Sequence, residues 1–249
     1  MLRWMPKMPE PGPLIPRNRA IHPVTYDADY KSSVTRSPRR PLLSLPSTVT
    51  EETGPVFGHD LLGPLDNNLT LNFSKGEAPA IGERIRVHGR VLDENARPVA
   101  GTLIEIWQAN AGGRYRHIKD SYFAPLDPNF GGCGRTLTDD GGNYEFLTVR
   151  PGAYPWPNRA NDWRPMHIHF SIFGHAFGQR LISQMYFEGD PLIERCPIVH
   201  TIRDRGQRDR LVAPLDMAGS RPLDYLAYRF DIVLRGHRQT MFENKPEGM

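Results

Sequence analysis

His167-Ile168-His169 places two imidazoles two residues apart, and on a β-strand that step points both to one side. The surroundings favour a strand: Met166 through Phe173 is apolar and aromatic, and Gly174 closes it. With Ile168 and Phe170 on the opposite face, the histidines make half of a metal site, although a His-x-His pair taken alone also fits hydrogen-bonded core histidines. No Asp or Glu follows at a spacing that completes the two-histidine, one-carboxylate triad of ferrous oxygenases. Cys133 and Cys196 belong to no Cys-x-x-Cys pattern, which argues against a thiolate zinc site. Tyrosine is conspicuous instead, in two glycine-flanked segments: Gly112-Gly113-Arg114-Tyr115-Arg116 and Pro151-Gly152-Ala153-Tyr154-Pro155-Trp156.

The elements available to position these groups are β-strands. Arg84 to Leu92 alternates as a strand with one wet face, and a turn through Asp93–Pro98 leads to a second strand, Thr102 to Trp107. Thr136-Leu137-Thr138, Asp139-Asp140-Gly141-Gly142 and Asn143 to Leu147 read as a hairpin with its turn residues in place. Further strands are expected at His167 to Phe173, Leu181 to Phe187 and Leu226 to Leu234. Short strands punctuated by Gly, Pro and Asp, with few and short helices, predict an all-β antiparallel sandwich. It should occupy residues 76–249. Residues 1–75 are a proline-rich arm, with nine prolines from Pro6 to Pro46, and must either stay disordered or lie across another surface.

Composition excludes several classes. A 249-residue chain with 39% apolar and 24% charged residues is ordinary for a globular enzyme with a sizeable core. A formal charge of +3, without a long basic run, gives no footprint for nucleic acid. Arg203 to Arg210 alternates in sign and reads as a solvated loop or short surface helix. No apolar stretch reaches membrane-spanning length, and Met1 to Pro6 lacks the apolar core of a signal peptide. Two cysteines fit a reducing cytoplasm, where the acceptor patterns at Asn68 and Asn72 are chance matches.

Longer segments carry a resemblance. Trp107-Gln108-Ala109-Asn110 with the following Gly-Gly-Arg-Tyr, Ala124 to Gly132, Asn161-Asp162-Trp163-Arg164-Pro165 and Tyr186 to Pro191 together resemble the intradiol aromatic-ring dioxygenases. The likeness runs from about Asp29-Tyr30-Lys31 to Phe242-Glu243-Asn244 and is strongest to the iron-bearing chains of the protocatechuate-cleaving branch. It implies the same sandwich and one non-haem Fe(III) per chain, held by Tyr115, Tyr154, His167 and His169. Fe(III) is a hard cation suited to phenolates. Two tyrosinates and a hydroxide would neutralise its charge of +3, and a catechol dianion could replace the hydroxide and one tyrosinate without changing that balance. The departing groups would accept the two phenolic protons. The resemblance makes Tyr154 the leaving ligand and Tyr115 the permanent one.

The reaction so implied opens the ring of protocatechuate between its two hydroxyl-bearing carbons, using O2, to give 3-carboxy-cis,cis-muconate, a step of the β-ketoadipate pathway of aromatic catabolism. Arg164 matches an arginine that stabilises negative charge on the attacked carbon. Gln184 matches a glutamine that holds that guanidinium, and Trp156 and Ile198 match pocket walls. Trp156 between prolines also fits plain packing, and Gln184 lies on a strand where its side chain could face solvent. Tyr30 matches a tyrosine that binds the substrate carboxylate, while Arg36, Arg39 and Arg40 add positive potential or form a solvated basic turn. Leu42, Leu43, Leu45, Val49 and Phe57 in the arm need a surface to cover, and the resemblance supplies one: a homologous α subunit in a larger αβ assembly. The competing expectations are an intradiol enzyme for catechol, hydroxyquinol or another diol, and a non-enzymatic β-sandwich binding protein.

Overall fold

The computed structural model describes residues 22–38, 62–76, 78–173, 180–236 and 238–241. Arg39, Arg40, Gly174, the arm's Leu42, Leu43, Leu45, Val49 and Phe57, and Phe242-Glu243-Asn244 lie outside the described residues.

Twelve strands form among the described residues: β1 (Arg84–Leu92), β2 (Leu103–Gln108), β3 (Cys133–Leu137), β4 (Asn143–Val149), β5 (Tyr154–Pro155), β6 (Trp163–Arg164), β7 (His167–Phe173), β8 (Arg180–Phe187), β9 (Val212–Ala213), β10 (Leu215–Arg221), β11 (Tyr225–Arg229) and β12 (Ile232–Val233). Three short helices accompany them: α1 (Lys31–Arg36), α2 (Pro197–His200) and α3 (Arg205–Asp209). The Asp204 side chain caps α3 by accepting from the Gln207 amide, so the charge-alternating segment does form a short helix.

Two five-stranded sheets face each other. One has the order β10-β11-β1-β12 with β4 also on β1, and the other β3-β2-β7-β8-β9. Most pairings are antiparallel, as the strand pattern predicts, but β11 and β12 run parallel to successive stretches of β1, and β9 runs parallel to β8. The sheets are therefore mixed. The strand expected from Leu226 to Leu234 breaks at Phe230-Asp231, where the Asp231 carboxylate accepts the Arg90 amide in place of a ladder bond.

The predicted hairpin across residues 136–147 is corrected. Its turn forms as read, with Asp139 Oδ1 accepting from the amides of Gly141 and Asn143. The strands it joins pair in different sheets, however, β3 with β2 and β4 with β1. The five-residue connection, with Gly142 at φ +72°, carries the chain across the core instead of doubling it back.

Phe170 of β7 lies between the sheets, with ring centroids 5.9 Å from Phe146 and 5.1 Å from Phe230. Ile168, Phe170 and Ile172 all point into this core and are essentially inaccessible to solvent. Truncating Phe170 to alanine would cost about 3–5 kcal/mol. Such a residue holds β7 in register, and a one-residue slip would turn both histidines inward.

Candidate metal centre

The β7 pleat that buries Ile168 and Phe170 presents His167 and His169 on the outer face of the second sheet. Cross-strand register builds a row around each. His169 lies between Trp107 of β2 and Gln184 of β8, and His167 lies opposite Tyr186 of β8. Trp107 stacks on the His169 ring at a centroid distance of 4.7 Å and an interplanar angle of 6°. Asp190 fixes the start of the strand by accepting from the amides of Met166 and Leu192.

Two loops cover this face, so both histidines are buried despite lying outside the core. One continues from β2 through Tyr115, whose amide donates to Asp120 Oδ2 at 2.8 Å. The other leaves β4 and carries Tyr154 on β5, in a two-stranded ladder with β6 where Tyr154 faces Arg164. The Tyr115 hydroxyl lies 3.1 Å from His169 Nε2 and 3.3 Å from His167 Nε2, and the Tyr154 hydroxyl lies 3.5 Å from His167 Nε2. His167 Nδ1 is 2.6 Å from the Pro165 carbonyl. A carbonyl only accepts, so the Nδ1 position carries the proton and the Nε2 lone pair is left for the cluster.

This donor set fits a hard trivalent ion. Donors bound to one ion at about 2 Å, at angles of roughly 90–110°, lie about 3 Å apart, close to the separations found here. The chemistry of the set, two phenols and two imidazoles, favours a metal that stabilises phenolate.

Arg164 is buried beside the cluster. Its Nη2 donates to Gln184 Oε1 and, at 3.4 Å, to the Tyr186 hydroxyl, which itself donates to Gln184 Oε1 at 2.7 Å. Burial works against the charged guanidinium, but the Coulombic pull of Tyr186, Cys196, Tyr154 and Tyr115 in their ionised forms outweighs it and raises the group above its ordinary value. Its Nε is buried without a hydrogen-bond partner among the described residues. A buried cationic N–H left open in this way suits an anionic ligand.

Of the remaining predicted residues, Trp156 and Tyr30 form a line of ring contacts leading to Arg164, and Ile198 stands apart from that line on α2. The Arg164 guanidinium lies 5.8 Å from the Trp156 ring, and Trp156 meets Tyr30 edge to face at 5.3 Å. Tyr30 is buried, covered by the Arg36 guanidinium 4.4 Å from its ring, and its segment is fastened by hydrogen bonds of Asn158 to the Lys31 amide and the Asp29 carbonyl. Ile198 stands on α2 and packs against the apolar core. Gln184 is buried against Arg164, not turned to solvent. Sequence reasoning gave no role to Trp107, Asp120 or Tyr186. Strand alternation marks Tyr186 as sharing a face with Gln184, but only cross-strand register puts Trp107 beside His169.

Comparison with known proteins decides the family. Residues 52–236 match the Dioxygenase family and residues 15–48 match the protocatechuate 3,4-dioxygenase beta subunit N-terminal family. The chain belongs to the intradiol ring-cleavage dioxygenases. It is 51% identical over 236 residues to the protocatechuate 3,4-dioxygenase beta chain of Burkholderia cepacia, covering 95% of this chain and 100% of that one. It is 31% identical over 210 residues to the protocatechuate 3,4-dioxygenase alpha chain of Pseudomonas putida, covering 81% of this chain and 98% of that one. Among solved structures it is similar in fold to mercury-inhibited catechol 1,2-dioxygenase from Acinetobacter sp. ADP1, with a TM-score of 0.50, 21% identity, and coverage of 73% of this chain and 60% of that one. In this dioxygenase chain no helix among the described residues is long and apolar enough to cross a membrane.

Proposed function

We propose that this chain is the iron-bearing β subunit of a protocatechuate 3,4-dioxygenase, opening protocatechuate with O2 to 3-carboxy-cis,cis-muconate. The observation that carries this reading is the convergence of Tyr115, Tyr154, His167 and His169 beside the buried Arg164. The near full-length likeness to a protocatechuate 3,4-dioxygenase beta chain supports the substrate. Bound Fe(III) would supply a Lewis-acidic centre that takes up a catechol as its dianion and activates the ring toward O2.

The chain's own groups do the rest. Tyr154, as its phenolate, would accept a phenolic proton of the substrate at its side-chain oxygen, a role suited to a group with an ordinary pKa of about 10. Tyr115 stays in place, anchored through its amide to Asp120. Arg164 offers its open Nε–H to negative charge developing on the ring, in a setting dry enough for that interaction to matter. Gln184 and Tyr186 orient the guanidinium. Trp156 and Ile198 bound the pocket, and Tyr30 binds the carboxylate that distinguishes protocatechuate from catechol.

The partner is a homologous α subunit, and the αβ unit repeats in a larger assembly. Support comes from the likeness to an alpha chain and from Ile118 and Phe123, both almost fully exposed on the loop that follows Tyr115. The arm of residues 1–75 serves pocket and interface, residues 76–249 form the catalytic sandwich, and the enzyme works in the cytoplasm within the β-ketoadipate pathway. Iron analysis with product identification tests the proposal: one iron per chain and 3-carboxy-cis,cis-muconate are expected. Faster cleavage of catechol or hydroxyquinol would reassign the substrate, and a protein that binds no iron in any assembly would refute the centre.

A further inference from the structure

Tyr115 sits on a loop and Tyr154 on the two-residue strand β5 at the end of another, and something must fix their separation. Loops wander by more than a metal site tolerates unless they are tied at several points. Asn110, two residues beyond the end of β2, is bonded to both. Its side-chain Oδ1 accepts from the amides of Gly112 and Arg114, each at 3.0 Å, and its Nδ2 donates to the Pro125 carbonyl at 2.9 Å. These bonds curl the chain leading into Tyr115. Its backbone carbonyl accepts from the Gly113 amide at 2.9 Å and from the Gly152 amide at 3.0 Å. The second of these bonds reaches the other loop, two residues before Tyr154.

The loops also touch backbone to backbone. Gly113 has φ +83°, and a Cβ there would lie 2.3 Å from the Ala153 carbonyl oxygen. A Cβ on Gly152 would lie 2.5 Å from the Ala111 carbonyl oxygen and 2.6 Å from the Gly113 nitrogen. The glycines beside both tyrosines thus let the loops approach until one residue bonds to both. The preceding Gln108 extends the same frame, with Nε2 donating to the Val149 carbonyl at the base of the Tyr154 loop. Asn110 is itself 5% exposed, so water does not compete for its bonds.

From this geometry we infer that Asn110 is the positioning residue that sets the distance between the Tyr115 and Tyr154 hydroxyls. Its bonds run to the two loops, to Gly112, Gly113, Arg114, Pro125 and Gly152. The inference rests on the iron reading for one of its readouts and is independent of it for the other.

The test uses the full chain co-purified with the proposed α subunit, with Asn110→Ala and a graded variant, Gly112→Ala. The new methyl in Gly112→Ala would lie 3.3 Å from Asn110 Oδ1 and 3.6 Å from the Ala124 Cβ, enough to press on the carboxamide without blocking the fold. The first readout needs no metal: 19F NMR of protein in which the nine tyrosines are replaced by 3-fluorotyrosine. The Tyr115 and Tyr154 resonances, assigned through single Tyr→Phe variants, should move in both Asn110→Ala and Gly112→Ala while the remaining tyrosines stay in place. The second readout is metal retention, where Asn110→Ala should release iron to a chelator about 10–100-fold faster, with a displaced phenolate-to-metal absorption band. A purely structural role would lower thermal stability with the 19F shifts and band position of the folded protein unchanged, and that result overturns the inference. If Asn110→Ala fails to fold, unmoved Tyr115 and Tyr154 resonances in Gly112→Ala overturn it equally. A parent protein that binds no iron would remove the iron reading and leave the 19F test intact.

Discussion

Tyr154 and Arg164 stand directly opposite each other in the two-stranded β5–β6 ladder. One short ladder therefore ties the proposed proton acceptor to the proposed anion stabiliser. The ladder is two residue pairs long and depends on its surroundings for stability. Part of that support is local: Trp156 donates its amide to the Asp162 carbonyl, and Asn158 bonds to the Asp162 carboxylate.

Replacing the buried cation tests its role. Arg164→Ser should lower turnover by about 10²–10³, the cost of removing a preorganised donor aimed at developing charge. The Michaelis constant should move little, because the interaction is strongest in the transition state. Oxygen-uptake kinetics over a range of protocatechuate concentrations separate the two effects. An unchanged turnover with weakened binding would make Arg164 a substrate anchor instead.

The proposed metal ligands predict a colour. Two phenolates on Fe(III) produce a visible charge-transfer absorption, so the protein should be burgundy to red as isolated. His167→Ala and His169→Ala each remove one of four donors and should lose most of the iron and the band, as measured by metal analysis and visible spectra. Tyr154→Phe should retain part of the iron through the other three ligands while turning over slowly.

Much of this site could be read from the sequence, for reasons specific to each residue. His167 and His169 were legible because strand alternation is local: the aromatic, apolar run around them fixes both the element and the shared face. Tyr115 and Tyr154 were visible only through their flanking glycines and the family likeness, since no periodicity brings two distant loops together. The structure accounts for those glycines by the contact of Gly113 and Gly152 with the opposing backbone. The failure at residues 136–147 has the opposite cause. Turn chemistry was read correctly, but which sheet receives each strand depends on non-local partners that a window of ten residues does not contain. Parallel pairing of β11 and β12 with β1 was hidden for the same reason.

Substrate choice should depend on Tyr30. A hydrogen bond to a charged group is worth about 1.5–3 kcal/mol, so Tyr30→Phe should raise the Michaelis constant for protocatechuate roughly 10–100-fold. Catechol has no carboxylate, and its cleavage should change little. Because Tyr30 also packs on Trp156, comparison of the two substrates is what isolates the hydroxyl. Equal losses on both would assign Tyr30 to packing alone.

Alkaline pH should weaken the fold through Tyr144. Burial raises its pKa well above the ordinary phenol value, helped by the nearby Asp231 carboxylate, and its hydroxyl donates to the Phe230 carbonyl at 2.6 Å. The folded chain then holds this proton where the unfolded chain releases it, so stability is fully present below pH about 10 and falls as pH rises above it. Thermal midpoints measured from pH 8 to 11 should fall less steeply in Tyr144→Phe than in the parent. At pH 8 the variant should be less stable by about 0.5–1.5 kcal/mol, the value of the missing hydrogen bond.

In the proposed assembly the arm would link substrate recognition to subunit contact. Residues 22–38 of the arm are fastened to the sandwich by Asn158 and by an ion pair between Arg203 and the buried Asp27. The same part carries Tyr30. The loop after Tyr115 leaves Ile118 and Phe123 in solvent, as a surface awaiting a partner would. Expressed alone, the chain should be poorly soluble or nearly inactive even with iron supplied, and co-expression with an α chain should restore both properties. Removing the first 40 residues should weaken association and abolish the preference for protocatechuate together, because it deletes Tyr30 along with the fastening contacts. Sedimentation and two-substrate kinetics on the same preparation measure both outcomes. A monodisperse monomer with full protocatechuate activity would overturn the heteromeric assembly while leaving the metal centre untouched.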